Sequence, residues 1–301
     1  MRCALRRRKE RDMPIDYHAL KAWRFEDIEH SYTERDAILY ALSVGFGDDP
    51  LDLRALDYTY GPALRAAPTM AAVLGFPGQW MRHPDTGIDW VKVVHGEQCI
   101  RLFKPLPASG TIIGRSRVKA VADKGRDKGA LVLIERQVID KPSGALLASV
   151  EQLNFCRGDG GFTERGQPGD DAPPPPPAVP GTAPDLIREL RTRPDAALLY
   201  RLNGDPNPLH ADPGVARAAG FTRPILHGLA TFGIAGRAIL EGVCDYDPAR
   251  LGMLYARFSA PVMPGETISI EMWHGAKEVL FRAKSKERDV VVLNNGRATV
   301  S

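Results

Sequence analysis

The run "GQPGDDAPPPPPAVPGTAP" at residues 166–184 constrains the fold more than any other part of the chain. Five consecutive prolines flanked by Gly, Asp and Ala can neither bury a core nor join the interior of a sheet. They extend as a semi-rigid polyproline spacer. The spacer divides the 301 residues into an N-terminal half, 14–165, and a C-terminal half, 185–301, each large enough to fold around its own apolar face.

The two halves resemble each other. "TERDAILYALSVGFGDDP" (33–50) places Thr33 as a helix N-cap before helically spaced apolar residues and a Gly-Asp stop. "TRPDAALLYRLNGDPNP" (192–208) has Pro194 near the first turn and the same stop. "APTMAAVLG" (67–75) then matches "RPILHGLATFG" (223–233), and "RLFKPLPASGTI" (101–112) matches "ARFSAPVMPGETI" (256–268). Asp48 to Phe103 spans 55 positions and Asp205 to Phe258 spans 53, so the landmarks repeat in order and spacing. Strand-like runs close each half: "ALVLIERQVI" and "LLASVEQLNF" in the first, "TISIEMWHG", "EVLFRAKSKE" and "DVVVLNNGRATV" in the second, the last turning on "NNG". Each half therefore reads as an irregular lead-in, a central helix and an antiparallel sheet that buries one face on it, an α+β layer.

Composition narrows the function. A net charge of +3 without a basic, aromatic-interleaved stripe argues against a nucleic-acid partner. No apolar run is long enough to span a bilayer. Cys3, Cys99, Cys156 and Cys244 lack CxxC spacing, which suggests neither a metal site nor a disulfide framework and places the protein in a reducing cytoplasm. The basic start lacks the apolar core of a secretory signal, so residues 1–13 are expected to be a disordered extension ahead of "MPIDYHALKAW".

The chemistry concentrates in "LYRLNGDPNPLHADP" (199–213). Prolines 206, 208 and 213 forbid a regular helix or inner strand, so Asp205, Asn207 and His210 share one stiff loop. An acid and a histidine held this way can converge on one water with little loss of loop entropy. Asn207 can fix that water or the acid by neutral hydrogen bonds. Downstream, "RPILHGLATFGIAGRAIL" (223–240) puts His227 and Gly228 at a helix N-terminus, where unpaired N–H groups favour negative charge.

The stretch "YRLNGDPNPLHADPGVARAAGFTRPILHGLATFG", together with "VVHGEQCIRLFKPLP", "ADKG" and "ARFSAPVMPGETI", resembles the MaoC-like (R)-specific enoyl-CoA hydratases, or hydratase 2. The likeness runs over nearly the whole chain from about residue 14 and is closest to the hydratase 2 domain of the type 2 peroxisomal multifunctional enzymes and its free-standing bacterial relatives. It implies a double hotdog fold, each half wrapping a curved sheet around a central helix, and a hydro-lyase that adds water to trans-2-enoyl-CoA in fatty acid metabolism. It assigns Asp205 and His210 as the acid/base pair, Asn207 as their support and Gly228 as the oxyanion donor. His95, Gly96, Lys124 and Phe258 would bind the acyl-CoA, with Lys128 in a second "DKG" as an alternative to Lys124. No metal and no cofactor is implied, coenzyme A being part of the substrate, and a homodimer is the family's usual state.

Simpler readings apply to other residues. His227 holds the loop, and His18, His30, His83 and His274 are ordinary surface or core histidines. "GFGDDP" is a decayed copy of the catalytic loop with no histidine at the matching offset, leaving one active site per chain. Three rival functions remain: a non-catalytic acyl-CoA-binding subunit, a hotdog thioesterase, and a MaoC-type dehydratase of a short branched or dicarboxylic acyl-CoA. The first would lack Asp205 or His210. The second would carry an acid on the central helix, where none precedes Glu241.

Overall fold

A computed structural model describes residues 15–301; the N-terminal extension expected for residues 1–13 lies outside them. The first half runs through α1 (Tyr17–Lys21), β1 (Ile28–Tyr32), α2 (Glu34–Ser43), α3 (Leu53–Leu56), β2 (Val93–Leu102), β3 (Gly110–Asp123), β4 (Ala130–Asp140) and β5 (Leu146–Cys156). The second runs through β6 (Leu186–Arg191), α4 (Ala196–Tyr200), α5 (Pro213–Ala218), α6 (Gly228–Gly242), β7 (Leu251–Phe258), β8 (Thr267–His274), β9 (Glu278–Ser285) and β10 (Val290–Val300).

All ten strands form one antiparallel sheet, ordered β1-β3-β4-β5-β2-β7-β10-β9-β8-β6. The left five and right five mirror one another, so the duplicated sequence becomes a duplicated sheet joined back to back. The joint is β2 on β7, with Glu97 opposite Arg257 and Arg101 opposite Met253. Joining them this way removes the edge that each half would otherwise expose there.

The α2 start is as read: the Asp36 carboxylate accepts from the Thr33 N–H at 2.8 Å and from its hydroxyl at 2.7 Å. Helix α6 lies inside the molecule, with Ala230 through Leu240 all buried, because apart from Thr231 and the ion-paired Arg237 that stretch is apolar on every side. Its glycines set how close its neighbours come. A Cβ at Gly233 would lie 2.5 Å from Val44 Cγ1, and one at Gly236 would lie 2.4 Å from Thr69 Cγ2. One core joins Tyr40 and Ile100 of the first half to Phe232, Leu254 and Phe281 of the second. A smaller cluster of Ile15, Leu20, Val121 and Phe162 seats α1.

Two local expectations need correction. The first half has no full-length central helix: the counterpart of α6 is a single 3-10 segment, Pro68–Ala72. Gly75 (φ 62°) turns the chain immediately afterwards, with its Cα face against Gly114, where a Cβ would come within 2.7 Å of the Gly114 Cα. Pro77 follows and forbids a restart. The "NNG" segment is also not a turn. β10 continues through it as a bulge, with Asn295 at φ 51° and Gly296 where a Cβ would strike the Phe281 ring at 2.6 Å.

Residues 166–184 carry no helix or strand. They are pinned rather than free: Asn295 Nδ2 donates to the Pro177 carbonyl at 3.0 Å, and Trp273 Nε1 donates to that of Thr182 at 3.0 Å. The five prolines cross the β2/β7 joint.

Candidate active site

The functional loop is built from short, capped pieces. α4 ends at Tyr200, a 3-10 turn covers Arg201–Asn203, and Gly204 (φ 104°) reverses the chain into Asp205. Asp205 Oδ1 accepts from the Asn207 N–H at 3.2 Å, and Asn207 Oδ1 accepts from Leu209 N–H at 3.1 Å. Asn207 is thereby the N-cap of the 3-10 turn Pro208–His210, and its amide nitrogen remains available to the cleft. Asp212 caps α5 in the same manner. A chain of caps, not a helix or strand, holds the loop rigid.

His210 is 8% exposed, and its Nδ1 lies 2.8 Å from the Ile225 carbonyl. A carbonyl only accepts, so Nδ1 carries the proton and a neutral ring presents its Nε2 lone pair. Burial lowers its pKa, opposed by the Ile225 bond and by Asp205. The Asp205 side chain is 42% exposed and lines the cleft beside Asn207, Tyr200 and Leu229.

His227, read from sequence as a loop holder, is more intimately placed. It is the N-cap residue of α6, and its ring stacks on His210 with centroids 3.7 Å apart. Its Nε2 reaches the Asp205 carbonyl at 3.3 Å and sits 3.9 Å from Asp205 Oδ2. Burial and the neighbouring His210 push its pKa down to about 4. Both rings are neutral at physiological pH. The signal for His227 was its position directly before Gly228.

At the first turn of α6 the N–H groups of Gly228 and Leu229 meet no acceptor among the described residues. Phe258 walls this corner: a Cβ on Gly228 would sit 3.2 Å from its ring. His95 packs edge-on against Phe258 at 4.7 Å, its Nε2 buried without a partner and its pKa pushed by burial to about 4. Gly96 is the bulge of β2, close over the Leu153 carbonyl. The structure thus gathers Asp205, Asn207, His210, Gly228, Phe258 and His95 around one corner. It does not bring Lys124 there; that side chain is exposed on the β3–β4 hairpin, as is Lys128, and neither lines the cleft.

From this corner a cavity of about 790 Å³ runs under the first half, along Ala72, Val73, Phe76 and Gln79. These residues belong to or follow the curtailed helix, so the missing helical turns leave the space. At the rim, exposed Arg82 lies over the Trp90 ring at 4.3 Å. Sequence reasoning passed over both, and "QWMRHPDTGIDW" carries no periodicity that would flag them.

Asp205, His210 and His227 also offer ligand atoms within 4.8 Å of one another, one group among the described residues that could hold a metal. Zinc would need all three at about 2.0–2.2 Å. In this arrangement His227 Nε2 is instead spent on the Asp205 carbonyl.

The sheet and buried helix define a double hotdog. A Mycobacterium tuberculosis protein of that fold aligns over 95% of this chain and 98% of its own, with a TM-score of 0.54 and 17% identity. The MFE-2 hydratase 2 N-terminal domain family matches residues 30–158, and the MaoC like domain family matches 177–296. The peroxisomal enoyl-CoA hydratase 2 of Arabidopsis thaliana is 36% identical, covering 94% of each chain. The crystal structure of a MaoC-like dehydratase from Phytophthora capsici superposes with a TM-score of 0.83 at 33% identity, covering 94% of this chain and 98% of its own. The chain belongs to the MaoC-like hydratase 2 family. Among the described residues no helix is long and apolar enough to cross a membrane.

Proposed function

We propose that this protein is an (R)-specific 2-enoyl-CoA hydratase and that the Asp205–His210 loop performs the reaction. The observation that carries the assignment is the fixed tautomer of His210. Its Nδ1 is committed to Ile225, which leaves the Nε2 lone pair free to act as a base next to the cleft-lining Asp205 and the open end of α6. Water held between Nε2 and Asp205 attacks C3 of the enoyl thioester while the pair takes one proton. The pair then returns that proton to C2 from the same side, which makes addition syn. Charge building on the thioester oxygen falls on the free N–H groups at Gly228, and losing such a donor commonly costs about 10²–10³ in rate. Asn207 keeps the loop in register through its cap. His95 and Phe258 confine the thioester, and Lys124, exposed on the β3–β4 hairpin outside the cleft, is left to the coenzyme A phosphates beyond it. Gly96 gives β2 the bulge that sets the His95 ring.

The reaction needs no cofactor. We assign the enzyme to a reducing compartment such as the cytoplasm on its free, buried cysteines Cys99, Cys156 and Cys244, and a homodimer on family likeness. A thioesterase finds no support: Glu241, the first acid of α6, is mostly covered and ion-paired with Arg237.

The test is loss of enoyl-thioester absorbance with trans-2-enoyl-CoAs of increasing length. The product should be consumed by a 3R-specific, and not a 3S-specific, hydroxyacyl-CoA dehydrogenase. Cofactor reduction by the 3S-specific enzyme would overturn the assignment.

A further inference from the structure

Arg136 is a buried cation with no acid beside it among the described residues. On β4 the inward residues alternate as Val132, Ile134, Arg136 and Val138, and Ile134 lines the cavity. Arg136 is next inward along the strand, about 7 Å further on, and is 4% exposed. Its Nη2 donates to the carbonyls of Ala72 (2.7 Å) and Ala71 (3.3 Å), while Nε is buried with no partner. No carboxylate lies within ion-pair distance among the described residues. Burial alone lowers its pKa, to about 10, with no opposing acid. Its neighbour Glu135 faces the other side of the sheet and pairs with Arg117.

Arg136 does not itself line the cavity, but the wall in front of it is partly polar. Phe76, over whose ring the guanidinium sits at 5.7 Å, and Ala72 both line the cavity. His30 lines it too; its Nδ1 accepts from the Gly75 N–H at 3.1 Å, so its neutral ring carries the proton on Nε2. Gln152 and Asn154, bonded to each other at 2.8 Å, complete the polar face. The acid nearest His30, Asp36, is spent on Thr33. A chamber for a plain hydrocarbon tail gains nothing from an uncompensated cation behind its wall, because burying a charge is costly unless it is paired.

Building on the hydratase reading, we propose that the first-half chamber receives an acyl chain ending in a carboxylate, and that Arg136, assisted by His30, recognises it. The substrate class is then an ω-carboxy 2-enoyl-CoA. The guanidinium supplies the counter-charge, and the two carbonyls of Ala71 and Ala72 hold it in place before substrate arrives.

Calorimetric titration of the whole protein with saturated acyl-CoAs and their ω-carboxy counterparts of equal length tests this without relying on turnover. Wild type should bind the ω-carboxy ligand at least about tenfold tighter, with the preference peaking at one chain length, since a fixed guanidinium demands one reach. Arg136→Met should erase the preference and leave affinity for free coenzyme A unchanged; Arg136→Lys should keep part of it. A wild-type protein with no preference at any length would overturn the proposal, as would an Arg136→Met protein that retains it. Equal weakening of free coenzyme A by Arg136→Met would also overturn it, placing the cation on the nucleotide. Should Arg136→Met fail to fold, the wild-type series and Arg136→Lys decide. Preferential binding without hydration of any enoyl-CoA would sink the hydratase reading and leave this one standing.

Discussion

Acidification should destabilise this protein as pH falls through the histidine range. Burial pushes His95 and His227 to about 4, against about 6.5 in an unfolded chain. A histidine with a depressed folded pKa contributes stability that is fully present above about pH 6.5. That stability is lost as pH falls toward 4, because the unfolded chain takes up the proton first. At pH 4.5 each of the two costs about 2–3 kcal/mol relative to pH 7.5, or about 5 kcal/mol together. That is comparable to the whole stability of many domains, about 5–15 kcal/mol. His210 and His30, lowered in the same direction, add to the loss. The window differs from that of the hydrogen-bonded Asp123, which is held down to about 2 and releases its share only below about pH 4. Urea denaturation at pH 7.5, 6.5, 5.5 and 4.5 reads the effect as a falling midpoint. His95→Gln removes one titrating group and should flatten the decline by about half of the two-histidine effect. A midpoint unchanged between pH 6.5 and 4.5, or a His95→Gln protein with the wild-type slope, would refute the claim that these rings are held neutral by burial.

Asp205→Asn and His210→Ala should each lower kcat by several orders of magnitude with the fold intact by circular dichroism. The double variant should cost little more than either single one, since the two act as a unit. Asp48→Asn, in the decayed loop, should leave kcat nearly unchanged but lower stability by about 1 kcal/mol, read in the same urea titration. Asp48 is half-exposed but pairs at 2.5 Å with Arg237, which is buried inside α6 and keeps Glu241 and the Gly45 carbonyl as partners. Cleavage within Pro173–Pro177 should leave the halves co-eluting on a sizing column, because β2 pairs with β7 and one core spans both; separation into folded halves would contradict that.

The proposed catalytic loop was legible from the chain alone because its information is local. Three prolines and a run of capping side chains dictate a rigid turn wherever it is placed, so Asp205, Asn207 and His210 were bound to sit together. The duplication was legible too, since strand alternation and landmark spacing survive without any partner. What needed the tertiary structure was everything set by contacts distant in sequence. The stacking of His227 on His210 depends on α6 meeting the loop across residues 211–226. The salt bridge from Asp48 to Arg237 turns the decayed loop into a structural anchor. The first-half helix is lost because Gly75 must lie against Gly114, 39 residues away. Arg136 reads in sequence as one more charge on an alternating strand. Only the pairing of β4 between β3 and β5 turns it inward and leaves it there without an acid among the described residues. Spacing along the chain determines which residues share a loop or a face, whereas burial and unmet charge belong to the packed molecule.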